Sequence, residues 1–314
     1  MKKIIRYTSA NAAEWDRFVK SSKNGTFLLL REYMDYHADR FEDCSFIITD
    51  EKGKWETVLP ACLTGNGILV SHAGLTYGGF VMKPDCRAEY PLEWFDLLGE
   101  YCRASHIQSL IYKPTPYIYH TLPSDEDLYA LFRNNAVIQC TNLATVVPLH
   151  ADFASRLGKR ARKRAIRYGI TVKETSDLQD FWDIIVHDRN ERHNTVPVHS
   201  YDEMKKLHVR FPNNIRLFTA QQGHEILAGA VVYVMPESGV IHLQYAAATQ
   251  GGKDIYATDV IYHHLVTEVF RDYKFFDFGT SNEQNGKVLN VGMTRHKEEF
   301  GGHSVVYQSF RVDF

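Results

Sequence analysis

The sequence predicts an α/β protein with two similar halves, in which helices flank mixed, mostly antiparallel sheets. Three observations support this fold class. The chain has 314 residues, which suits two domains of roughly 150 residues each. Helical and strand patterns alternate along the whole chain. The order helix, hairpin, strand, helix, strand occurs twice, and we therefore predict domains over residues 1–148 and 149–314.

The elements of each half follow from apolar periodicity and turn residues. In the first half we predict helices over 10–20, 90–105 and 125–134, with strands over 44–49, 55–63, 68–70 and 109–112. In the second half we predict helices over 156–167, 178–192, 200–210 and 256–270, with strands over 215–220, 226–234, 240–246 and 274–278.

Charge, apolar runs and cysteine pattern restrict which kinds of protein this chain can be. The net charge is −2 and 44% of the residues are hydrophobic, so any phosphate contact must come from a local patch rather than from the whole surface. The N-terminus has no signal-peptide pattern, and the longest apolar run, 226–235, is too short for a membrane span. The five cysteines are scattered without a CxxC pair. We therefore expect a cytoplasmic protein without a membrane span and with reduced cysteines.

Three segments of the second half carry a family resemblance. They are the basic stretch 155–169, the strand end Phe276-Asp-Phe-Gly279 and the segment Arg295-His-Lys-Glu-Glu-Phe-Gly301. In this order they resemble the tandem-GNAT group, which includes the Fem-type peptidoglycan aminoacyltransferases and their acetyltransferase-like relatives. The resemblance reaches the first half only through overall organisation. It implies two tandem GNAT-like domains and transfer of an acyl group from a thioester or aminoacyl ester to an amine.

The resemblance also implies a donor, acetyl-CoA or another acyl-CoA, and a place for its pyrophosphate. GNAT proteins use an R/Q-x-x-G-x-G/A loop that leads into a helix. The equivalent segment here is Gln250-Gly-Gly-Lys-Asp-Ile255, in which Lys253 and Ile255 replace the small residues. Backbone N–H groups at a helix start favour an anion. We therefore assign Gln250, Gly251, Gly252 and Lys253 to the donor.

The stretch between Arg156 and Arg167 holds seven basic residues and no acid. Like charges this dense repel one another on a helix unless an anion lies against them. We assign Arg160, Arg164 and Arg167 to the phosphates of the donor. The anions that suit this helix are a nucleotide diphosphate, the phosphates of CoA, the tRNA backbone or anionic lipid headgroups. The alternative is a solvated face that acidic neighbours neutralise.

Four residues are candidates for the chemistry. By resemblance Lys297 stabilises negative charge near the acyl carbonyl or a phosphate; the alternative is a surface lysine beside two glutamates. Asp277 ends an apolar strand and is either a proton acceptor or a cap of the next loop. Glu191 and His199 flank a polar loop, and His199 is a candidate general base because imidazole titrates near neutral pH.

For the acceptor, a small molecule or a nucleotide-linked amine, we predict contacts from His72, Tyr77, His193 and Tyr245. His72 and Tyr77 lie in a glycine-rich stretch, 71–79, where the backbone can approach a ligand closely. The alternative is a tight connection that only needs glycine. A metal is not expected, because the fifteen histidines show no HxH or HExxH spacing.

Three functions remain open at this stage. The first is an acyltransferase that uses acyl-CoA or an acyl carrier protein. The second is a Fem-type transferase that uses aminoacyl-tRNA on a peptidoglycan precursor, although no helical-hairpin insertion is visible. The third is a non-catalytic binding module on a GNAT scaffold. For the enzymes, we predict that His199, Lys297 and the helix 156–167 face one shared cavity.

Overall fold

The chain divides into two units, each with its own hydrophobic core. This computed structural model describes residues 2–149, 155–193 and 196–314, apart from the side chains of residues 37, 156 and 191–193. Unit 1 comprises Met1–Asn142, Glu283–Val288 and Val306–Phe314, and unit 2 comprises Leu143–Asn282 and Leu289–Val305. The domain division between residues 148 and 149 stays a prediction.

The described residues form the following helices and strands. The helices are α1 (Ala12–Lys20), α2 (Arg31–Met34), α3 (Glu89–Ala104), α4 (Glu126–Arg133), α5 (Arg156–Tyr168), α6 (Gln179–His193), α7 (Tyr201–Arg210), α8 (Gln250–Asp254), α9 (Ala257–His264) and α10 (Val291–Glu299). The strands are β1 (Lys3–Arg6), β2 (Glu42–Asp43), β3 (Phe46–Thr49), β4 (Trp55–Leu59), β5 (Cys62–Leu63), β6 (Ile68–Val70), β7 (Val81–Met82), β8 (Ser109–Tyr112), β9 (Val137–Pro148), β10 (Ile170–Thr175), β11 (Ile215–Gln222), β12 (Glu225–Met235), β13 (Val240–Ala248), β14 (Phe275–Thr280), β15 (Asn282–Glu283), β16 (Val288–Leu289) and β17 (His303–Asp313).

Unit 1 contains two sheets. One has the strand order β1-β3-β4-β7 and is antiparallel throughout. The other runs β2-β5-β6-β8, with the end of β17 beside β8, and its β6–β8 pair is parallel. Helix α3 buries Trp94 and Phe95 in the same core as Leu110 of β8.

Unit 2 is built on the strand order β10-β11-β12-β13-β14-β9, in which only the β13–β14 pair is parallel. Alternate residues of β12 separate the two faces of this sheet. Ala228, Ala230 and Val232 pack in one core with residues of α5 and α9. Gly229, between them, lies against the Phe181 ring of α6. Helices α5 and α9 therefore cover one face, and α6 covers the other.

The basic helix α5 forms where the sequence predicts it. The hydroxyl of Ser155 caps its start by accepting from the N–H of Gly158 at 3.0 Å. The helix ends at Gly169, whose φ of 62° suits glycine. Leu157 and Ala161 are buried on its inner side and anchor the helix, while its outer side exposes Lys159, Arg160, Arg162, Lys163 and Arg167.

The fold class is confirmed: helices flank mixed, mostly antiparallel sheets. The predictions missed the long strands β9 and β17, the edge strand β10 and the helix α10. These strands carry many polar residues on partly exposed faces, so their hydrophobic alternation is weak. None of the helices in the described ranges is long and apolar enough to span a membrane.

Candidate active site

Strands β13 and β14 separate and leave a cavity between them. They pair in parallel over only three residues each, 240–242 with 275–277. Beyond that point lies a cavity of about 550 Å³, lined by Leu243 and residues 246–248 of β13 and by Phe278 and Thr280 of β14. We call it the cleft cavity. Its position between two diverging parallel strands makes it a natural place for an extended ligand.

The backbone of β13 is available along one side of the cleft cavity. On its other edge β13 stays paired with β12 as far as Ala248. Successive N–H groups of a strand point to alternate edges, so some of those between residues 243 and 248 face the cavity. Such N–H groups can polarise a carbonyl oxygen without any side chain.

Paired charges line the mouth of the cleft cavity. The Lys253 Nζ of α8 lies 2.6 Å from Oδ1 of Asp188 in α6, and both residues line the cavity with Arg189. Lys253 is therefore neutralised within the chain. The structure places it beside the cavity but already engaged with a carboxylate.

The other predicted donor residues form the first turn of α8. The Thr249 hydroxyl caps this turn by accepting from the N–H of Gly252 at 3.1 Å. A Cβ on Gly252 would lie 2.1 Å from the Leu227 oxygen, whereas Gly251 has open space around it. The Gln250 amide donates to Asp254 at 2.8 Å. Gly252 thus serves close packing on β12, and Gln250 and Gly251 are exposed.

Lys297 lines the cleft cavity but is bound to the chain by all three of its N–H groups. They donate to the Gly279 oxygen at 2.9 Å, the Thr280 oxygen at 3.1 Å and the Ser281 hydroxyl at 2.8 Å. The residue is only 7% exposed. Burial lowers the pKa of Lys297 to about 8, against the opposing effect of Asp277. Its ammonium holds α10 against the end of β14.

A histidine and a buried aspartate form a second charged group at the cavity. Both His296 of α10 and Asp259 of α9 line it. The Nε2 of His296 lies 3.3 Å from Oδ1 of Asp259. The other oxygen, Oδ2, accepts from Nη1 of Arg164 in α5 at 3.0 Å. Asp259 is 1% exposed and is therefore balanced by two basic groups.

Asp277 caps the loop that follows β14 and also contacts a histidine of the neighbouring strand. Its Oδ1 accepts from the N–H of Gly279 at 2.7 Å, which caps the loop after the strand. Its Oδ2 lies 2.7 Å from Nδ1 of His242 on the neighbouring strand β13. The side chain is fully buried. Asp277 therefore braces the point where β13 and β14 begin to diverge.

A basic hollow adjoins the cleft cavity. It has a volume of about 300 Å³ and is lined by Lys163, Arg164 and Arg167 of α5 together with Tyr256. We call it the α5 hollow. Tyr256 has φ of 58°, unusual for a residue with a side chain, and its ring lies 3.9 Å from the Arg164 guanidinium. Because Tyr256 also lines the cleft cavity, it is the boundary between the two.

Comparison with solved structures identifies this architecture. FemX matches with a TM-score of 0.68 and 13% identity, over 99% of this chain and 97% of that one. L-PGS from Bacillus licheniformis matches with a TM-score of 0.61 and 13% identity, over 95% and 90%. A tandem GNAT protein from the clavulanic acid biosynthesis pathway matches with a TM-score of 0.56 and 10% identity, over 100% and 98%.

The chain has the tandem GNAT fold. No family model matches it, and no curated protein matches it. The structural matches therefore confirm the fold that the resemblance implies. At these sequence identities they show the fold alone.

The prediction that His199, Lys297 and the helix 156–167 face one shared cavity is wrong for this tandem GNAT fold. Lys297 lines the cleft cavity, but among the side chains that the structure describes neither His199 nor a cation of α5 does so. His199 Nδ1 lies 2.6 Å from the hydroxyl of Tyr245, and the Tyr245 ring packs on Trp182 of α6. This pair lies on the α6 face of the sheet, opposite α5. Among the described α5 cations, Arg164 contacts a residue of the cavity wall, Asp259.

The structure brings some of the remaining predicted residues together and separates others. His199 and Tyr245 are brought together, as just described, and burial raises the pKa of Tyr245. Arg160 is half exposed and lies 3.8 Å from Glu299. Glu191 and His193 belong to the last turn of α6, but their side chains lie outside the described residues. Their roles stay predictions.

His72 and Tyr77 lie in the glycine-rich stretch of unit 1. Both are buried, at 3% and 2% exposure. The Tyr77 hydroxyl donates to the Thr26 hydroxyl at 3.2 Å, and the Lys113 ammonium donates to the His72 carbonyl at 2.8 Å. A Cβ on Gly78 would lie 2.5 Å from the Ser71 oxygen. The stretch therefore packs closely on its own unit.

The sequence predictions missed two residues that line the cleft cavity, His296 and Asp259. They also missed His242, which contacts Asp277 where β13 and β14 begin to diverge. A signal existed for the first two: His296 immediately precedes the lysine of the recognised segment, and Asp259 is an acid on a helix whose apolar residues include Val260 and Ile261. An isolated acid on an apolar helix face usually has a basic partner. No group of three or more potential metal-ligating side chains occurs among the described residues.

Proposed function

We propose that the chain is an acyltransferase that moves an acyl group from an acyl-CoA thioester to an amine within the cleft cavity. One observation carries the proposal: β13 and β14 diverge and leave an open strand edge beside a cavity of about 550 Å³. Aminolysis of a thioester needs little more than a positioned amine, a proton acceptor and N–H groups for the carbonyl oxygen.

The cleft cavity supplies a place for each part of the donor. Small side chains at residues 246–248 leave room beside the strand for a narrow chain, and Leu243 and Phe278 provide an apolar wall. The phosphates of the carrier would lie in the α5 hollow, beyond Tyr256, where Lys163 and Arg167 are exposed. This arrangement assigns the donor to the second predicted domain, residues 149–314.

A second candidate is transfer from aminoacyl-tRNA, and the cations of α5 favour it. In the described part of the chain, no ion pair involves Lys159, Arg162, Lys163 or Arg167. A row of exposed cations suits the phosphate backbone of a nucleic acid. The likeness to FemX and L-PGS makes this candidate worth a separate arm of the test.

The experiment is a thermal-shift panel with acetyl-CoA, longer acyl-CoAs, free CoA, UDP-sugars and bulk tRNA. A ligand at 100 times its Kd stabilises the folded state by about 2.7 kcal/mol, which is a shift of several degrees for a protein of this size. We expect the acyl-CoAs to raise the melting temperature. A shift with tRNA alone would favour the second candidate, and no shift with any compound would favour a binding module that has lost its donor.

A charge-removal variant separates the two donors. Replacing both Lys163 and Arg167 by alanine removes two cations from the α5 hollow. If the donor is tRNA, the double variant should lose about two phosphate contacts. Its affinity for tRNA should therefore fall less steeply as the salt concentration rises. If the donor is acyl-CoA, the double variant should bind free CoA and acetyl-CoA more weakly than the wild type does, and by the same factor. The matched control is Lys205→Ala with Lys206→Ala on α7, where both lysines are exposed.

A further inference from the structure

We propose that His296 is the general base of the transfer, and that Asp259 and Arg164 are positioning residues for it. The inference rests on the proposed function and adds the group that accepts the proton of the attacking amine. It depends on the contacts between helices α5, α9 and α10, which neither the family resemblance nor the fold comparison assigns.

His296 has both the access and the support that a base requires. Its ring lines the cleft cavity, and its side chain is 42% exposed. One edge of the ring is fixed by Phe300, with ring centroids 5.8 Å apart and an edge-on arrangement. The Nε2 atom lies 3.3 Å from Oδ1 of Asp259. In the described chain, no hydrogen bond engages the other ring nitrogen, Nδ1.

Asp259 sets the tautomer of His296. A carboxylate beside Nε2 favours the hydrogen on that nitrogen, which leaves the lone pair on Nδ1 to accept a proton. The carboxylate itself is held in place because Oδ2 accepts from Arg164 at 3.0 Å. The Arg164 guanidinium lies 3.9 Å from the Tyr256 ring. Asp259 of α9 and Arg164 of α5 thus orient the imidazole of His296 on α10.

The other charged groups around His296 are already engaged or unsuited to the task. Lys297, its neighbour on α10, donates all three N–H groups to the chain. Lys253 of α8 is paired with Asp188 of α6. Arg189 of α6 stays protonated, and the hydroxyl of Tyr262 on α9 has a pKa raised well above its usual value by burial. His296, by contrast, lines the cavity with a ring nitrogen that can accept a proton.

The step balances without any further reactant. The amine nitrogen attacks the acyl carbon, and the carbonyl oxygen takes up the negative charge. The proton on the nitrogen passes to Nδ1 of His296. The oxyanion collapses, the bond from carbon to the carrier sulfur breaks, and the imidazolium returns its proton to the sulfur. One C–N bond forms, one C–S bond breaks, and His296 ends in its starting state.

The first test uses p-nitrophenyl acetate, an activated ester that needs no recognition of a carrier. We expect the wild-type protein to release p-nitrophenol, and His296→Gln to lower the rate on the order of 100-fold, the usual size of a general-base contribution. The control is His264→Gln, since His264 pairs with Glu268 away from the cleft cavity. Equal rates for His296→Gln and the wild type overturn the proposal, as does a wild-type rate no higher than that of equimolar imidazole.

The second test is NMR spectroscopy of the His296 ring nitrogens, assigned by their loss in His296→Gln. We expect the Nε2–H tautomer in the wild type and a larger share of the Nδ1–H tautomer in Asp259→Asn, because the amide no longer favours a hydrogen on Nε2 as the carboxylate does. Wild-type protein with the Nδ1–H tautomer overturns the proposal even if Asp259→Asn does not fold. Neither test involves CoA, so a failed thermal-shift panel and a failed His296 test are separate results.

Discussion

Nη1 of Arg164 lies 3.0 Å from Oδ2 of Asp259, and this contact joins the basic helix α5 to the wall of the cleft cavity. Asp259 is buried, whereas the Arg164 side chain is 23% exposed. The sequence offers two interpretations of the basic helix, an anion-binding surface and a face that acids neutralise. Each describes part of it: Arg164 is neutralised by Asp259, while Lys163 and Arg167 remain exposed beside the α5 hollow.

Arg164→Gln should destabilise the protein by about 3 kcal/mol, because removing one partner of a buried ion pair leaves the other charge poorly compensated. Urea unfolding measures this difference. The control is Arg162→Gln on the same helix, which is exposed and should change the free energy of unfolding by less than about 0.5 kcal/mol. Equal effects of the two variants would show that Asp259 does not depend on Arg164.

Lys297→Met should also destabilise the protein, by about 2–3 kcal/mol. The substitution keeps the length of the side chain but leaves two backbone oxygens and one hydroxyl without the donor that they share. Denaturant unfolding is again the measurement. Lys206→Met on α7, where the lysine is exposed, provides the matched control and should stay close to the wild type. If Lys297→Met unfolded at the same denaturant concentration as the wild type, the role that we give this ammonium would be contradicted.

Gly252→Ala should lower the free energy of unfolding by about 2 kcal/mol. The new Cβ would lie 2.1 Å from the Leu227 oxygen and would force α8 away from β12. Gly251→Ala next to it meets nothing closer than Thr249 Oγ1 at 4.0 Å, so it should be neutral or stabilising by up to about 1 kcal/mol. Differential scanning calorimetry distinguishes them. If both variants melt together, then α8 is not packed on β12 as described.

Asp127→Asn should remove a pH dependence of stability. Burial raises the pKa of Asp127 to about 7, with the Tyr112 hydroxyl donating to it at 2.6 Å. The folded state therefore holds a proton that the unfolded chain releases near pH 4. The resulting stability is fully present below pH 4 and is lost as the pH rises to 7, by up to about 4 kcal/mol.

Unfolding free energies of the wild type at pH 4.5 and 7 measure this loss. Asp127→Asn should flatten the profile, because an amide keeps an oxygen for Tyr112 but does not titrate. Asp125→Asn is the control, since Asp125 immediately precedes the same helix but is exposed. A profile of Asp127→Asn that is as steep as that of the wild type would assign the pH dependence to other groups.

The fold class and most helices could be predicted because they depend on local patterns. Helix α5 is an example: its Ser155 cap, its inward Leu157 and Ala161, and its final Gly169 are all visible in the sequence. Strand β10 was missed because it is an edge strand in which only Ile170 is fully buried. Its place in the sheet depends on pairing with β11, more than forty residues away, which local patterns do not encode.

The candidate site was harder to predict than the fold for the same reason. Lys297 was recognised from its segment, yet its three oxygen partners lie 16 to 18 residues earlier in the chain. Asp277 was recognised at a strand end, but its partner His242 is 35 residues away. The separation of β13 and β14 after three pairs has no local signal, so the cleft cavity could not be foreseen.

The most direct test of the central claim is calorimetric titration of acetyl-CoA into the wild type and Ala246→Trp. Ala246 is exposed on the wall of the cleft cavity, so an indole there should fill the space between β13 and β14. The control is Ala104→Trp, at an exposed alanine that ends α3. We predict that acetyl-CoA binds the wild type and Ala104→Trp equally and binds Ala246→Trp at least about tenfold more weakly, a loss of about 1.4 kcal/mol. Unchanged affinity in Ala246→Trp would place the donor outside the cleft cavity and contradict the account.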